Sequence, residues 1–341
     1  MLKKIVVSTG LLALGCLAAA AFSEVLVRWL APQQETPRWF EEDDRYAYRL
    51  KKNFHQRLAY PGTDFVMDAR TNAYGFRDRE WDADLEKDGS RVLLLGDSFV
   101  FGYGVQVADR FDTRLARLLE ESGAGYCLVN AGVPGWGTTQ ETRFARDHFD
   151  LFRPDVVVLV FCGNDPADDT QFLNGTMVFQ EKGLADFPGK AWLRAHSHLY
   201  RFVLRHTTVL RRAILIKARQ SGSEPVHVDA QSAGVMDAGE WDRTLDTLRE
   251  FHRDFLAFNP AGCLVLLATN PEDPYIRDRL RALDNGGTLR YLDLYDAVTG
   301  LPPEDRTLPY DRHWSVEVHN IVAQELHNVI IHFVKKGLTT K

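Results

Sequence analysis

The sequence has few cysteines, only four in 341 residues. Three of them, Cys127, Cys162 and Cys263, lie in or beside apolar runs, and no two are closely spaced. This pattern is typical of buried small hydrophobic residues and argues against a disulfide framework or a zinc site. The fourth, Cys16, follows Leu-Ala-Leu-Gly in weak resemblance to a lipoprotein site, but the apolar stretch continues past it.

The sequence also lacks an excess of basic residues. It has 41 Lys and Arg against 47 Asp and Glu, for a net charge of −6, and no long run of Lys or Arg. Because a surface that follows a phosphate backbone needs clustered positive charge, we expect no nucleic-acid partner. We see no internal repeat or low-complexity tract, and a hydrophobic content of 45% is enough for a globular core.

The N-terminus differs from this average composition. Lys3 and Lys4 precede an apolar stretch that runs to about Leu30, and the part from Ile5 to Phe22 is close to the ~20 residues that span a bilayer. Residues 18–21 are alanines that would suit a cleavable signal, but we favour an uncleaved anchor over residues 1–30. The two lysines then place the rest of the chain outside the cytoplasm, so we predict a single-pass protein of a bacterial inner membrane with a periplasmic catalytic domain.

Apolar runs and helical spacing alternate through the rest of the chain. The runs predict five buried strands: Arg91–Leu95, Tyr126–Asn130, Asp155–Phe161, Cys263–Thr269 and Leu289–Leu292. The helical periodicity predicts helices over Phe111–Glu121, Thr139–Phe149, Ala238–Phe258 and Val316–Val334. This order is typical of the α/β class, and we expect a three-layer α/β/α sandwich with a mainly parallel five-stranded sheet.

Two segments fall outside this alternation. Residues 31–90 are polar and rich in Pro, Asp and Arg, and we interpret them as a stalk and an irregular lead-in to a catalytic domain over 91–334. Residues 166–236 read as an insertion, with a helix predicted from Ala191 to Ala218. Its basic side chains are first of all a solvated helix face, and a substrate or membrane-surface role is the alternative.

The strongest chemical signal is Gly96-Asp97-Ser98, directly after the first buried strand. A serine hydroxyl is a poor nucleophile until a base removes its proton, so it must lie where both a histidine and a substrate reach it. The turn at the carboxyl end of a strand is such a place. Taken alone, the motif is equally consistent with a strand-ending turn and a helix cap.

Three further elements follow in order near the ends of predicted strands or before the last helix. Asn130-Ala131-Gly132-Val133-Pro134-Gly135 brings glycines whose backbone N–H groups can approach a ligand, and Gly163-Asn164-Asp165 brings an amide donor. Asp311-Arg312-His313-Trp314 supplies a base and a carboxylate to orient it. Converging N–H donors make an oxyanion hole, so these elements indicate an acyl-transfer site.

With these blocks the chain resembles the SGNH (GDSL-type) hydrolase superfamily over about residues 70–334, including the lead-in Asn72-Ala73-Tyr74-Gly75-Phe76-Arg77. The resemblance implies an SGNH, flavodoxin-like fold and a serine esterase that needs no cofactor and no metal. It implies Ser98 as nucleophile, His313 as base and Asp311 as its partner. It also implies an oxyanion hole formed by the N–H groups of Ser98 and Gly135 and the side chain of Asn164.

Two features depart from the common pattern of the superfamily. Many members have two residues between Asp and His, whereas the Asp-x-His-Trp form here resembles bacterial enzymes that acetylate exopolysaccharides. The resemblance favours O-acetyl or other short acyl esters of an extracytoplasmic polysaccharide as substrate. His319 is left as a rival base, and the superfamily often has a histidine there in a packing role.

Several alternatives remain open from the sequence. The same acyl-enzyme would serve an O-acetyltransferase that acts on an exported polysaccharide, and a catalytically silent glycan-binding scaffold is a third reading. A lipase or thioesterase is a fourth, since aromatic residues could line an acyl pocket: Phe99, Phe101, Tyr103 and Trp136. Two clusters resemble metal ligands but lack a third ligand at the right spacing: His196 with His198, and Asp165 with Asp168 and Asp169.

Overall fold

A computed structural model describes residues 2–33, 37–60, 63–85, 89–123, 125–177, 188–204, 206 and 238–339. Within these residues the chain divides into two compact units. The larger unit comprises the described residues of Trp39–Arg57, Met67–Phe179 and His227–Lys341, and the smaller those of Met1–Arg38, Leu58–Val66 and Gln180–Val226.

The larger unit is built on a five-stranded parallel sheet. Its strands are β5 (Ser90–Gly96), β6 (Tyr126–Asn130), β7 (Val156–Phe161), β8 (Cys263–Ala268) and β9 (Leu289–Tyr291). They lie in the order β6-β5-β7-β8-β9. The expected α/β sandwich is confirmed. Because β7 and β8 are buried along their whole length, their sequences are continuous apolar runs rather than alternating ones.

Helices cover both faces of the sheet. The helices of this unit are α2 (Asp82–Leu85), α3 (Ser98–Phe101), α4 (Phe111–Glu121), α5 (Thr138–Asp147), α6 (Phe149–Phe152), α7 (Asp165–Leu173), α10 (Ala238–Phe258), α11 (Pro274–Arg281), α12 (Tyr295–Thr299) and α13 (Val316–Thr339). Helices α4 and α13 pack together and share one core with alternate residues of the strands. Helices α5, α7 and α10 pack on one another, and the rings of Phe161 and Trp241 lie 5.3 Å apart. Each buried Leu, Val or Phe contributes about 1.5–3 kcal/mol, so these two layers supply most of the stability.

Ordered structure begins earlier than the sequence indicated. The described residues between 40 and 70 form two two-stranded sheets. Strand β1 (Phe40–Asp43) pairs antiparallel with β2 (Ala47–Leu50), and β3 (His55–Ala59) pairs with β4 (Val66–Arg70). Trp39, Tyr48 and Leu50 are buried, and the ring of Trp39 lies 5.3 Å from that of Phe101. The irregular lead-in expected here is therefore partly strand, while the domain limits at residues 30, 90 and 334 remain predictions.

The lead-in is joined to the catalytic region by two buried arginines. Arg77 donates to the carbonyl oxygens of Phe101 and Gly102 at 3.2 and 2.6 Å. Arg110 donates to the carbonyl oxygen of Arg77 at 2.5 Å and forms a two-bond ion pair with Asp112. Since a buried guanidinium is costly unless its N–H groups are paired, this network fixes the end of α3 relative to the lead-in.

The smaller unit contains the N-terminal helix α1 (Leu2–Leu30). Its segment Val7–Leu30 includes an 18-residue window with a mean hydropathy of 2.0, none of which is buried. Among the described residues it is the one helix long and apolar enough to cross a membrane. The same unit holds α8 (Lys190–His196) and α9 (198–204), separated by Ser197. The helix predicted over Ala191–Ala218 is thus interrupted at Ser197, and its part beyond residue 206 lies outside the described residues.

Glu24 links α1 to the start of α9. Its carboxylate accepts from the Ser197 hydroxyl and from the N–H groups of His198 and Leu199, at 2.7–2.9 Å. Arg28 donates to the carbonyl oxygen of His196 at 2.6 Å. A carboxylate at a helix N-terminus satisfies N–H groups that have no partner within the helix, so Glu24 stabilises α9.

Candidate active site

Ser98 lies at the carboxyl end of β5, as the first residue of α3. Asp97 precedes it as the N-cap, and its carboxylate accepts from the N–H of Phe99 at 3.0 Å. Gly96 is required at the turn, because a Cβ there would lie 2.3 Å from Cγ2 of Val100. The sharp turn thereby leaves the Ser98 side chain half-buried at the edge of the sheet.

A chain of hydrogen bonds joins Ser98 to His313 and Asp311. The Ser98 Oγ lies 2.7 Å from Nε2 of His313, and Nδ1 of His313 lies 2.5 Å from Oδ1 of Asp311. The His313 backbone N–H also donates to Oδ1 of Asp311 at 3.1 Å. Three side chains that the sequence analysis grouped are thus in contact, although the serine and the histidine are 215 residues apart.

The surroundings of His313 fix the direction of its ring. The rings of Phe99 and Tyr103 lie 4.8 and 5.1 Å from the imidazole, and the next residue, Trp314, donates its indole N–H to the carbonyl oxygen of Thr269 at 2.9 Å. Burial alone would raise the pKa of Asp311, but the hydrogen bonds with His313 outweigh it and hold that pKa below its ordinary value. Asp311 therefore stays ionised beside the imidazole.

Gly135 and Asn164 follow the two strands that flank β5. Gly135 lies in the loop after β6, with a φ of +79° that favours glycine, and Asn164 lies in the turn between β7 and α7. Nδ2 of Asn164 donates to Oδ2 of Asp168 at 2.5 Å. An amide nitrogen carries two hydrogens, so one remains for another acceptor.

Gly132 has a different environment from Gly135. Its N–H donates to Oδ1 of Asn130 at 3.0 Å, and a Cβ at this position would lie 2.3 Å from the backbone nitrogen of Phe101. The glycine therefore allows the loop after β6 to pack directly on α3. This geometry favours Gly135 over Gly132 as the residue with an available N–H.

His319 is a packing residue in the structure. It is 1% exposed, its ring stacks on that of Phe111 with 8° between the planes, and its Nδ1 accepts from the N–H of Phe111 at 3.3 Å. Burial lowers the pKa of His319 to about 3. It therefore stays neutral at any physiological pH, and His313 is the histidine that contacts Ser98.

Five carboxyl groups lie close to this edge of the sheet: Asp97, Glu141, Asp165, Asp168 and Asp169. Glu141 is 0% exposed, and among the described residues neither of its carboxyl oxygens has a hydrogen-bond partner. Burial, together with the charges of Asp165, Asp97 and Asp169, raises its pKa well above 4.5. Burial also raises the pKa of Asp168 to about 7, against the opposing effect of its bond with Asn164.

These carboxyl groups do not form a metal site in the described part of the chain, where no cluster of His, Cys, Asp or Glu has suitable geometry. Asp165 instead accepts from the hydroxyl of Thr138 at 2.9 Å and from the N–H of Cys162 at 3.2 Å. His198 accepts from the N–H of Gln33 at 2.8 Å. Residues of both sequence patterns that resembled metal ligands thus make hydrogen bonds at the starts of helices α7 and α9.

Sequence reasoning missed Tyr48, Glu141 and Asp168 as neighbours of the site. Tyr48 lies on β2, in a segment interpreted as stalk, where the alternation of Tyr46, Tyr48 and Leu50 was a signal of a half-buried strand. Glu141 lies on α5, where a glutamate normally faces solvent, so its burial has no sequence signal.

An α/β sandwich with a Ser-His-Asp chain of hydrogen bonds at the carboxyl edge of its sheet is the arrangement of a serine hydrolase. Residues 94–327 match the model of the GDSL-like Lipase/Acylhydrolase family. The chain therefore belongs to this family and is a carboxylic ester hydrolase.

Solved structures of esterases are similar to this chain at low identity. A family 3 carbohydrate esterase from Clostridium thermocellum has 15% identity and a TM-score of 0.41, with coverage of 72% of this chain and 98% of that chain. The lipase/acylhydrolase from Enterococcus faecalis has 16% identity and a TM-score of 0.40, covering 71% and 95%. The psychrotrophic esterase EstA from Pseudoalteromonas sp. has 13% identity and a TM-score of 0.41, covering 73% and 100%. No curated protein matches the sequence.

Replacing Glu141 by Gln is expected to stabilise the protein at neutral and alkaline pH. The folded-state pKa of Glu141 is raised, so its contribution to stability is largest below pH 4.5 and is lost as pH rises toward the folded-state pKa. Glu141→Gln removes that loss. The free energy of unfolding of the variant should therefore equal that of wild type near pH 4 and exceed it by up to about 1.4 kcal/mol more for each pH unit above that. Urea unfolding at several pH values measures this difference.

The exposed Glu120 on α4 offers the matched control, Glu120→Gln. It should leave the free energy of unfolding within about 0.5 kcal/mol of wild type at every pH. An advantage of Glu141→Gln that does not change with pH would contradict the burial of an ionisable group at this position.

Proposed function

We propose that the protein cleaves its ester by an acyl-enzyme mechanism with Ser98 as nucleophile, His313 as base and Asp311 as the group that orients the base. The observation that carries the proposal is the unbroken chain from the Ser98 Oγ through the imidazole of His313 to the Asp311 carboxylate. This geometry lets one proton move from the hydroxyl to Nε2 while the carboxylate balances the charge of the imidazolium.

The first half of the reaction forms the acyl-enzyme. Ser98 Oγ bonds to the ester carbonyl carbon as its proton passes to Nε2 of His313, and the carbonyl oxygen becomes an oxyanion. When the tetrahedral intermediate collapses, the bond to the leaving alkoxide breaks and His313 returns the proton to it. Water or a sugar hydroxyl then attacks the acyl-enzyme by the same steps in reverse, and Ser98 is released.

The oxyanion hole would consist of the N–H groups of Ser98 and Gly135 and the second hydrogen of the Asn164 amide. These groups come from the loops after β5, β6 and β7, which end at one edge of the sheet. Each donor of this kind is worth about 2.7–4 kcal/mol where its removal has been measured. The hydrogen bond from the Asn164 amide to the Asp168 carboxylate restricts rotation of the Asn164 side chain, which favours its role as an oxyanion donor.

Variants of the two histidines separate the catalytic proposal from its rival. Ser98→Ala should abolish labelling by a fluorophosphonate probe and turnover of p-nitrophenyl acetate. His313→Ala should lower kcat/KM by at least about 10³-fold, because the serine loses its base. His319→Asn, which keeps an acceptor for the N–H of Phe111, should lower stability while it leaves the activity within about threefold.

Labelling of the Ser98→Ala protein, or a larger loss from His319→Asn than from His313→Ala at equal folded fraction, would overturn these assignments. A wild-type protein that folds, as judged by circular dichroism, and yet takes up no probe would favour the silent glycan-binding scaffold.

We propose O-acetyl or other short acyl esters of an extracytoplasmic polysaccharide as the substrate class. Support comes from the Asp311-Arg312-His313-Trp314 block. It also comes from the burial of two of the four aromatic residues that could have lined a pocket for a long acyl chain. Phe101 and Trp136 are 0% and 1% exposed, so they belong to the core and do not line an acyl pocket. This removes half of the aromatic set that favoured a lipase or thioesterase.

A panel of p-nitrophenyl esters and acetylated oligosaccharides tests the substrate class. We expect kcat/KM to fall at least tenfold from acetyl to octanoyl esters, and acetate to be released from acetylated glycans. With an activated acetyl donor and a non-acetylated oligosaccharide, mass spectrometry distinguishes hydrolysis from transfer, since only transfer adds 42 Da per acetyl group to the glycan. Faster turnover of octanoyl than of acetyl esters would contradict the short-acyl proposal.

We propose that α1 anchors the protein in a bacterial inner membrane and that the catalytic domain is periplasmic. The apolar, unburied segment Val7–Leu30 supports this, as do Lys3 and Lys4 before it.

The full-length chain should stay in the membrane pellet after an alkaline carbonate wash. Leu12→Lys with Leu14→Lys, both at exposed positions of the helix, should release or destabilise it, since a lysine at mid-membrane costs ~2.5–3.5 kcal/mol. A soluble wild-type chain shortened near residue 21 would show that the segment is a cleaved signal.

A further inference from the structure

Tyr48 contacts the loop that carries Gly135. It lies on β2, outside the family-matched residues 94–327, and it is 3% exposed. Its hydroxyl donates to the carbonyl oxygen of Pro134 at 3.0 Å. A Cβ on Gly135 would lie 2.7 Å from that hydroxyl oxygen, so the two groups are in direct contact.

The acceptor of this hydrogen bond belongs to the peptide whose N–H is the Gly135 N–H. In a planar trans peptide the carbonyl and the N–H point in opposite directions, so a donor that holds the carbonyl also fixes the direction of the N–H. Hydrogen bonds in series also polarise one another, by roughly 10–30% per bond. The Tyr48 hydroxyl therefore both orients the Gly135 N–H and makes it a stronger donor.

The position of Tyr48 is itself fixed by bonds to the same loop. The indole N–H of Trp136 donates to the Tyr48 carbonyl oxygen at 2.9 Å, and the Gln140 side chain donates to the Tyr46 carbonyl oxygen at 2.7 Å. The rings of Tyr46 and Trp136 lie 5.3 Å apart. Two further hydrogen bonds, one from the Gly135 loop and one from α5, thus hold residues 46–48 next to this loop.

The hydroxyl remains a donor over the whole range of an assay. Burial, and after it the negative charges of Asp168, Asp97 and Glu141, raise the pKa of Tyr48 well above its ordinary value of 10. An ionised tyrosine has no proton to donate, and this environment prevents ionisation.

We propose that Tyr48 is a positioning residue of the oxyanion hole, which acts through the Pro134–Gly135 peptide and stabilises the transition state rather than the bound substrate. The inference rests on the proposed function, in which Gly135 donates to the oxyanion. It assigns a part in the reaction to a strand that lies before the family-matched region.

The test compares Tyr48→Phe with Tyr46→Phe. The first variant removes the hydroxyl that bonds to Pro134, and the second removes a hydroxyl that bonds to Asp147 at 2.7 Å, away from the Gly135 loop. We expect kcat of Tyr48→Phe with p-nitrophenyl acetate to fall about tenfold with KM within twofold, less than the 10²–10³-fold loss on removal of an oxyanion donor. Tyr46→Phe should keep kcat within twofold.

A spectroscopic measurement separates positioning from loss of stability. The infrared stretch of the carbonyl of a slowly deacylating acyl-enzyme should move to higher frequency in Tyr48→Phe, because the Gly135 N–H is a weaker donor, and it should not move in Tyr46→Phe. If Tyr48→Phe fails to fold, 3-fluorotyrosine at position 48, a stronger donor of nearly the same size, should move the stretch to lower frequency.

An unchanged kcat and an unchanged carbonyl stretch in a folded Tyr48→Phe protein would overturn the proposal, and so would equal losses from the two tyrosine variants. Failure of the proposed function gives a different result, because the Ser98→Ala protein would then still be labelled and would still turn over ester.

Discussion

The direction of three neighbouring strands is the constraint on which the site depends. Strand β5 lies between β6 and β7, and all three run parallel, so the loops that follow them leave the sheet at the same edge. Ser98, Gly135 and Asn164 each lie in one of these loops. The next strand, β8, is followed directly by Thr269, whose carbonyl oxygen holds the indole of Trp314 beside His313. The segments that follow β5, β6, β7 and β8 are far apart in the sequence, and the parallel sheet places all four at the same edge.

The same edge of the sheet is rich in buried carboxyl groups, and this has an energetic cost. Desolvation raises the pKa values of Asp97, Glu141, Asp165 and Asp169, because burial disfavours the charged form of each carboxyl group. Several of these groups nonetheless close turns, as Asp97 does for Phe99 and Asp165 does for Cys162. Buried polar networks rigidify a structure where their members are paired. The cluster therefore lowers the stability of the fold, while its hydrogen bonds restrict the conformation of the loops at the site.

The sequence predicted the sheet well because the strands are buried on both faces. Tyr126–Asn130 was predicted as a strand with the same limits as β6, and the helices Phe111–Glu121 and Ala238–Phe258 were predicted with the same limits as α4 and α10. The order of the chemical blocks then indicated a shared site, since the ends of parallel strands lie at one edge. The roles given to Ser98, His313, Asp311, Gly135 and Asn164 remain predictions, although the first three are in hydrogen-bonding contact.

Other features could not be inferred, for identifiable physical reasons. Strands β1–β4 are four or five residues long and carry charged side chains, so their composition resembles that of a loop. The contact of Tyr48 with Pro134 spans 86 residues, and nothing local encodes it. Similarly, the sequence left His319 as a rival to His313, and the two are separated by the burial of His319 against Phe111 and by the contact of His313 with Ser98.

The arginine network has a consequence for anyone who shortens this protein. A fragment trimmed to the family-matched residues 94–327 would lose Arg77, and with it the donors to the carbonyl oxygens of Phe101 and Gly102 at the end of α3. Arg110 would keep its carboxylate but lose the carbonyl of Arg77 as an acceptor. A fragment that keeps these hydrogen bonds must therefore begin at or before Arg77, ahead of the family-matched residues.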